Sequence, residues 1–318
     1  MKKKTLVQII SCTLALAASS ASFADTQFYG AISYGNSVTS GDDEIPYTAF
    51  DATNTGNFEA LNAPYGNSIY SDIKLGVRFN NMFVELAGSQ TDFNGSAADG
   101  NGGNNDCTIK PTAGLFINCF DDATINFDSK IKNLDLVVGW TFAPSDSWKV
   151  QPYIGLRHVD LRDNRNVDYL YTVGVSDAIT DDTNFKKTGL LAGLRVEKDL
   201  GQVYLSGDFN YSYANGTRTR FVTDTEYTTP GGVTTDFESQ TLSQDISVRQ
   251  WNARFAVGHR FKVSENNDLS MSIGYKIGRL NGFDTTNTNP DLFAFGSLGN
   301  NDSSLSSRGF DVTLGWNF

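Results

Sequence analysis

The chain has 318 residues, with 36 acidic against 25 basic side chains and a formal net charge of −11. That balance argues against nucleic-acid binding, which wants a basic stripe. Thirty glycines, 22 phenylalanines and 13 tyrosines suit a glycine-punctuated, aromatic-girdled β protein with little helix patterning. Lys2, Lys3 and Lys4 open the chain, a mostly apolar run covers 5–18, and Ser22 and Ala24 on either side of Phe23 are the small residues a signal peptidase needs. This predicts a cleavable secretory signal over 1–24, with a mature chain from Asp25 of about 294 residues and a net charge near −14. Cys12 follows Ile9, Ile10 and Ser11, a poor lipobox, so it is expected to leave with the signal. No later segment approaches the roughly 18 apolar residues of a transmembrane helix. An exported chain of this kind is either soluble or hides a membrane surface in alternating strands.

Period-2 alternation draws ten strands, at 27–38, 67–80, 82–93, 124–142, 147–162, 185–199, 202–219, 245–262, 267–281 and 304–318. One face of most of them is almost purely apolar, as with Ile73, Leu75, Val77 and Phe79, or Leu269, Met271, Ile273, Tyr275 and Ile277. A soluble sandwich would put polar residues on that face. The connections alternate strictly: tight at 80–81, 143–146, 200–201 and 264–267, long and rich in Asp, Asn, Gly, Ser and Thr at 39–66, 94–123, 163–184, 220–244 and 282–303. Short periplasmic turns and long outer loops make this pattern in a transmembrane barrel. Pro230, Gly231 and Gly232 sit midway between Thr-rich arms and suggest a hairpin that prolongs two strands beyond the membrane. Residues 94–106 are low-complexity and read as a solvated loop. Cys107 and Cys119 share one polar stretch, and an oxidising compartment predicts a disulfide between them.

The closing run places Phe310, Val312, Leu314, Trp316 and Phe318 on one face and Gly309, Asp311, Thr313, Gly315 and Asn317 on the other. It resembles the final strand of bacterial outer-membrane β-barrels, which carries the signal read by their assembly machinery. That family usually has glycine five residues before the terminal aromatic, where this chain has Thr313. The segment 71–88, with Thr91, Asp92 and Phe93, resembles hairpins of the small OmpA-type barrels. Segments 134–161 and 189–213 are similar to the Legionella-type major outer-membrane proteins, a pore-forming family. The fold expected is an all-β, antiparallel, up-and-down transmembrane barrel over 25–318, with ten strands and twelve the next choice. Its place would be the bacterial outer membrane, among membrane lipids and lipopolysaccharide.

Opposite parity turns thirteen charged residues inward: Asp72, Lys74, Arg78, Glu85, Asp135, Arg157, Arg195, Glu197, Asp208, Arg254, Arg260, Lys276 and Asp311. Seven are basic and six acidic. In a narrow lumen they would pair and fill it, because unpaired buried charges are costly. In a wet lumen, separated clusters would line a weakly selective pore. His158 and Arg249 interrupt the outward apolar parity of their strands.

Omptin-type proteases, also ten-stranded barrels, pair an Asp-x-His with further carboxylates near the outer rim. Here His158, Val159 and Asp160 stand in reverse order without a second carboxylate pair on a strand. Two histidines make a thin acid–base inventory, so no catalysis is expected. Neither is a cofactor or a metal. The leading expectation is passive, porin-like passage of small solutes, which the resemblance implies. The alternative is a plugged barrel whose long loops bind a surface partner such as a host cell, a phage or lipopolysaccharide. An omptin-type hydrolase is third.

Overall fold

The computed structural model describes residues 26–41, 49–51, 58–59, 66–99, 106–109, 117–120, 122–170, 176–227, 234–264, 267–282 and 304–318. The expected signal segment 1–24 lies outside them. In chain order the strands begin with β1 (Thr26–Gly41), β2 (Ala49–Asp51), β3 (Phe58–Glu59), β4 (Asn67–Phe79) and β5 (Met82–Asp99). Next come β6 (Asp106–Ile109), β7 (Ile117–Phe120), β8 (Asp122–Trp140), β9 (Phe142–Ser145) and β10 (Trp148–Leu170). The last five are β11 (Ser176–Asp199), β12 (Val203–Tyr227), β13 (Thr234–Lys262), β14 (Asp268–Asn281) and β15 (Ser304–Asn317).

Ten of these close a barrel in the order β1, β4, β5, β8, β10, β11, β12, β13, β14, β15. Every neighbouring pair is antiparallel, and β15 closes back on β1 with Leu314 opposite Ile32. At the seam the Phe28 and Phe318 backbones donate to each other at 2.9 and 2.8 Å. Closure satisfies every strand edge, which a hydrocarbon surrounding demands. The expected tight turns are present. Asn80 adopts a φ of +53° at the two-residue turn after β4, and Gly201 a φ of +95° after β11.

The outward face is the apolar one. Leu134, Leu136, Ile154, Leu156, Leu190, Phe209, Phe255, Ile273 and Leu314 are all exposed, and Trp140, Phe142, Trp148 and Phe318 gather near the short-turn end. Water would not tolerate so large a continuous apolar belt, whereas lipid does. The protein is an integral β-barrel of the outer-membrane type.

Three expected loops, 39–66, 94–123 and 163–184, contain more strand than the sequence pattern suggests. The 163–184 connection is paired through Leu170↔Ser176, leaving only 171–175 outside the described residues. Its apolar residues, such as Val167, Tyr169 and Ile179, are interspersed with Asp, Asn, Arg and Thr, so no continuous apolar face announces it, yet cross-strand hydrogen bonding extends it. The 220–244 connection behaves as the Thr-rich arms imply: β12 and β13 pair out to Tyr227↔Thr234. Residues 94–99 continue β5 and are not loop. Between the two N-terminal loops, β3, β2, β6 and β7 form a separate four-stranded sheet.

Candidate functional site

Nine of the thirteen charges expected to face inward border one cavity inside the barrel, and the structure joins most of the thirteen in pairs. At the waist, Arg195 on β11 grips Glu85 on β5 with two hydrogen bonds of 2.7 and 2.6 Å, and its Nε donates to Asp208 at 3.1 Å. Lys74 on β4 reaches the same Asp208 on β12 at 3.5 Å. Four strands separate β4 from β12 in either direction, so this pair spans the barrel. Tyr29 donates to Glu85 at 3.1 Å and Tyr153 to Asp208 at 2.9 Å. The Arg195 guanidinium lies 4.8 Å from the centre of the Tyr153 ring. Six strands therefore contribute to one cross-linked polar layer, with Glu85 only 2 % exposed.

Glycine makes room for this layer. A Cβ at Gly76 would strike the Tyr29 ring, and one at Gly193 the Tyr153 ring, so both tyrosines lie flat across a bare stretch of neighbouring strand.

A second set lies around the waist. Arg157 holds Asp135 with bonds of 2.8 and 2.7 Å and reaches Ser212 at 3.3 Å. Arg254 holds Asp311 at 2.6 Å and also meets Ser272 and Thr313. Asp72 accepts from Tyr70 at 3.0 Å, while its other oxygen is buried without a hydrogen-bond partner. Lys276 sits 3.3 Å from the centre of the Tyr70 ring. At the short-turn mouth, Arg260 bridges Glu197 at 2.5 Å and Asp199, and Lys149 joins Glu197 at 3.2 Å. Arg78 lies over the Tyr29 ring at 5.3 Å.

Toward the long-loop end the lumen turns apolar. Phe93, Ile131, Val159, Leu161, Phe185, Ala214, Val248, Leu280 and Leu305 form one buried cluster drawn from eight strands, and Ile246 packs against it. The sequence reading assigned none of these residues. A signal for them was present: at the outer ends of the strands the parity inverts. In β10, His158, Asp160 and Arg162 face outward while Val159 and Leu161 face inward, and in β13 Arg249 is exposed beside buried Val248. The residues that interrupt the outward pattern mark the level where the exterior leaves lipid and the interior becomes core. Further out, Arg165 binds Asp163 at 2.7 Å and Arg220 binds Asp181 at 2.6 Å, all four buried inside the prolonged strands.

Between waist and apolar layer lies a cavity of about 110 Å³, bordered by Asp72, Lys74, Arg157, Arg195, Gln250 and Phe93 among others. It has room for a few waters.

Cys107 and Cys119 stand directly opposite each other in the β6–β7 register. Phe310, Val312, Leu314 and Phe318 point outward and exposed along β15, with Trp316 half-buried on the same face. His158 is exposed on the outer face, its Nδ1 3.1 Å from the Thr188 hydroxyl.

No family model and no curated protein matches the chain. Solved structures do resemble it. The outer membrane protease OmpT of Escherichia coli is 13 % identical with a TM-score of 0.42, the match covering 94 % of this chain and 99 % of that one. A major outer membrane protein of Thermus thermophilus is 12 % identical with a TM-score of 0.37, covering 92 % and 99 %. The attachment invasion locus protein Ail of Yersinia pestis is 10 % identical with a TM-score of 0.25, covering 92 % and 99 %. Likenesses this distant say nothing about activity.

Proposed function

We propose that this protein is a closed outer-membrane barrel whose outer strands and loops, rather than its lumen, meet its partner at the cell surface. One observation carries the reading: a cross-linked ionic waist and a nine-residue apolar layer lie in series across the same ten-stranded lumen. Ion passage needs a continuous polar path, and an apolar layer opposes it by excluding water. The paired strands β10 to β13 prolong the barrel on one side, giving a partner a rigid wall and costing less ordering entropy than free loops. Nothing catalytic is assigned: His158 faces outward, away from the lumen carboxylates. Supporting roles follow. The outward aromatic row of β15 is offered to the assembly machinery, and Cys107 with Cys119 forms a disulfide that staples the outer four-stranded sheet, as their opposed register favours.

The deciding experiment is conductance of the refolded protein in a planar bilayer. A folded, heat-modifiable barrel should stay silent. Reproducible current steps from the wild type would overturn the reading. They would favour the second one, a narrow pore, for which the cavity beside Asp72 and its unpaired oxygen is the supporting observation.

A further inference from the structure

The outer face of β5, β8, β10 and β11 changes character within two residues. Leu134, His158 and Thr188 share a register row at the top of the apolar band. Two residues further out, Gln90, Lys132, Asp160 and Lys186 align across the four strands. Two further again, Asp92, Lys130, Arg162 and Asn184 align. Four cations and two carboxylates thus occupy two adjacent rows, in a chain whose net charge is −11.

Within these two rows the local pairing leaves the cations short of anions, and the next row outward carries Asp128 and Asp182 beside Asn164. Asp160 is shared between Arg162 at 3.3 Å and Lys186 at 3.4 Å, and Lys130 takes Asp92 at 3.2 Å. Lys132 is exposed and has no ion pair among the described residues. Arg162 and Lys186 each keep about half of their side-chain surface open. On β13, β14 and β15, Arg249, Arg279 and Arg308 are staggered diagonally, opposite Asn281, Ser306 and Ile277 and sharing no register row with one another.

Depth supplies the ligand's identity. Strands advance about 3.4 Å per residue, so the two rows lie roughly 7 and 14 Å along the strand beyond the last leucine. Each headgroup zone is about 5–8 Å thick, and strand tilt brings the first row within it. A planar guanidinium and flanking ammonium groups suit phosphate oxygens. Leu134, Leu136, Leu156 and Leu190, all exposed just below, suit acyl chains.

We infer that this four-stranded patch is a binding site for a phosphorylated glycolipid of the outer leaflet, with Lys132, Arg162 and Lys186 holding its phosphates and the leucines beneath receiving its chains. The site depends on the membrane orientation and not on whether the lumen is closed.

Native mass spectrometry of the detergent-solubilised, heat-modifiable protein tests it, with lipopolysaccharide, dephosphorylated lipopolysaccharide and inorganic phosphate as probes. Lipopolysaccharide should bind at least tenfold more tightly than its dephosphorylated form. The triple variant Lys132→Ser, Arg162→Ser, Lys186→Ser should lose that preference, while Arg249→Ser, Arg279→Ser, Arg308→Ser should keep it. Asp160→Asn, which releases two cations, should tighten binding several-fold and keeps the test open if the triple variant fails to fold. Equal binding of the two glycolipid forms, equal loss from both triple variants, or displacement of the glycolipid by millimolar inorganic phosphate would each overturn the site.

Discussion

The waist and the apolar layer close the same lumen by opposite physics. The waist is polar, and its stability rests on pairing: Glu85, Arg195, Asp208 and Lys74 are tolerable inside only because each answers another. The apolar layer rests on fit, since Phe185, Leu161 and Val159 are each 1 % exposed within one cluster drawn from eight strands. The difference teaches that a barrel interior follows core rules wherever it is dry, and that polarity inside is no sign of water. It also separates the consequences of damage. Losing one partner at the waist leaves a charge behind, while losing a side chain in the apolar layer leaves a hole.

The largest effect should come from the waist. Arg195→Ala strands the buried Glu85 carboxylate, while Asp208 keeps Lys74 and Tyr153, and should cost about 3–5 kcal/mol, the usual penalty for breaking a buried pair. Urea unfolding in lipid vesicles measures it. Replacing Glu85 and Arg195 together by apolar residues of similar volume should recover much of that loss, and full additivity would show that the pair is not coupled. Phe185→Ala, in the apolar layer, should cost about 3–5 kcal/mol through its cavity and leave the ionic waist formed. It should therefore destabilise without producing conductance, whereas Arg195→Ala combined with Phe185→Ala should open current steps if the two layers block in series. On the lipid face Leu190→Ala removes a side chain of similar size that is 70 % exposed. It should shift stability by less than about 1 kcal/mol, within the range of surface changes.

The smallest effect is at the periplasmic turn. The backbone N–H of Gly201 donates to Asp199 at 2.8 Å, and with Arg260 it holds that carboxyl below the usual carboxylate range. The depressed value means the contribution is present above the unfolded pKa and fades as pH falls through the folded one. Because the group is solvated, Asp199→Asn should cost under about half a kcal/mol, and only at neutral pH. An unchanged difference at pH 7 and pH 3 would rule the linkage out. For the outer sheet, reduction and alkylation should add two blocked thiols at Cys107 and Cys119, read by peptide mass, where an unreduced sample adds none.

Much of this was readable residue by residue. Parity in 134–142 or 269–277 gives the lipid face, and the same parity gives the inward charges. The apolar layer is hard to see in the sequence because His158 interrupts the lipid face of the strand that carries inward Val159 and Leu161. Taken together, His158 and Val159 describe a change of surroundings at one level of the barrel. The prolonged hairpin through 163–184 is hard to see for a different reason: Val167, Tyr169 and Ile179 share their parity with Asp163, Arg165, Asp177, Asp181 and Thr183, so alternation carries little apolar contrast.

By itself the sequence determined the strands, their count, their inward and outward faces and the side on which the long loops emerge. Those properties are local, set by a two-residue period and by turn length. Only closure of the barrel decided which inward charges meet. Lys74 and Asp208 are 134 positions apart in sequence and five strands apart around the wall, yet 3.5 Å apart in space. Whether the lumen is filled depends on such reach across its width, and that width exists only once β15 has found β1.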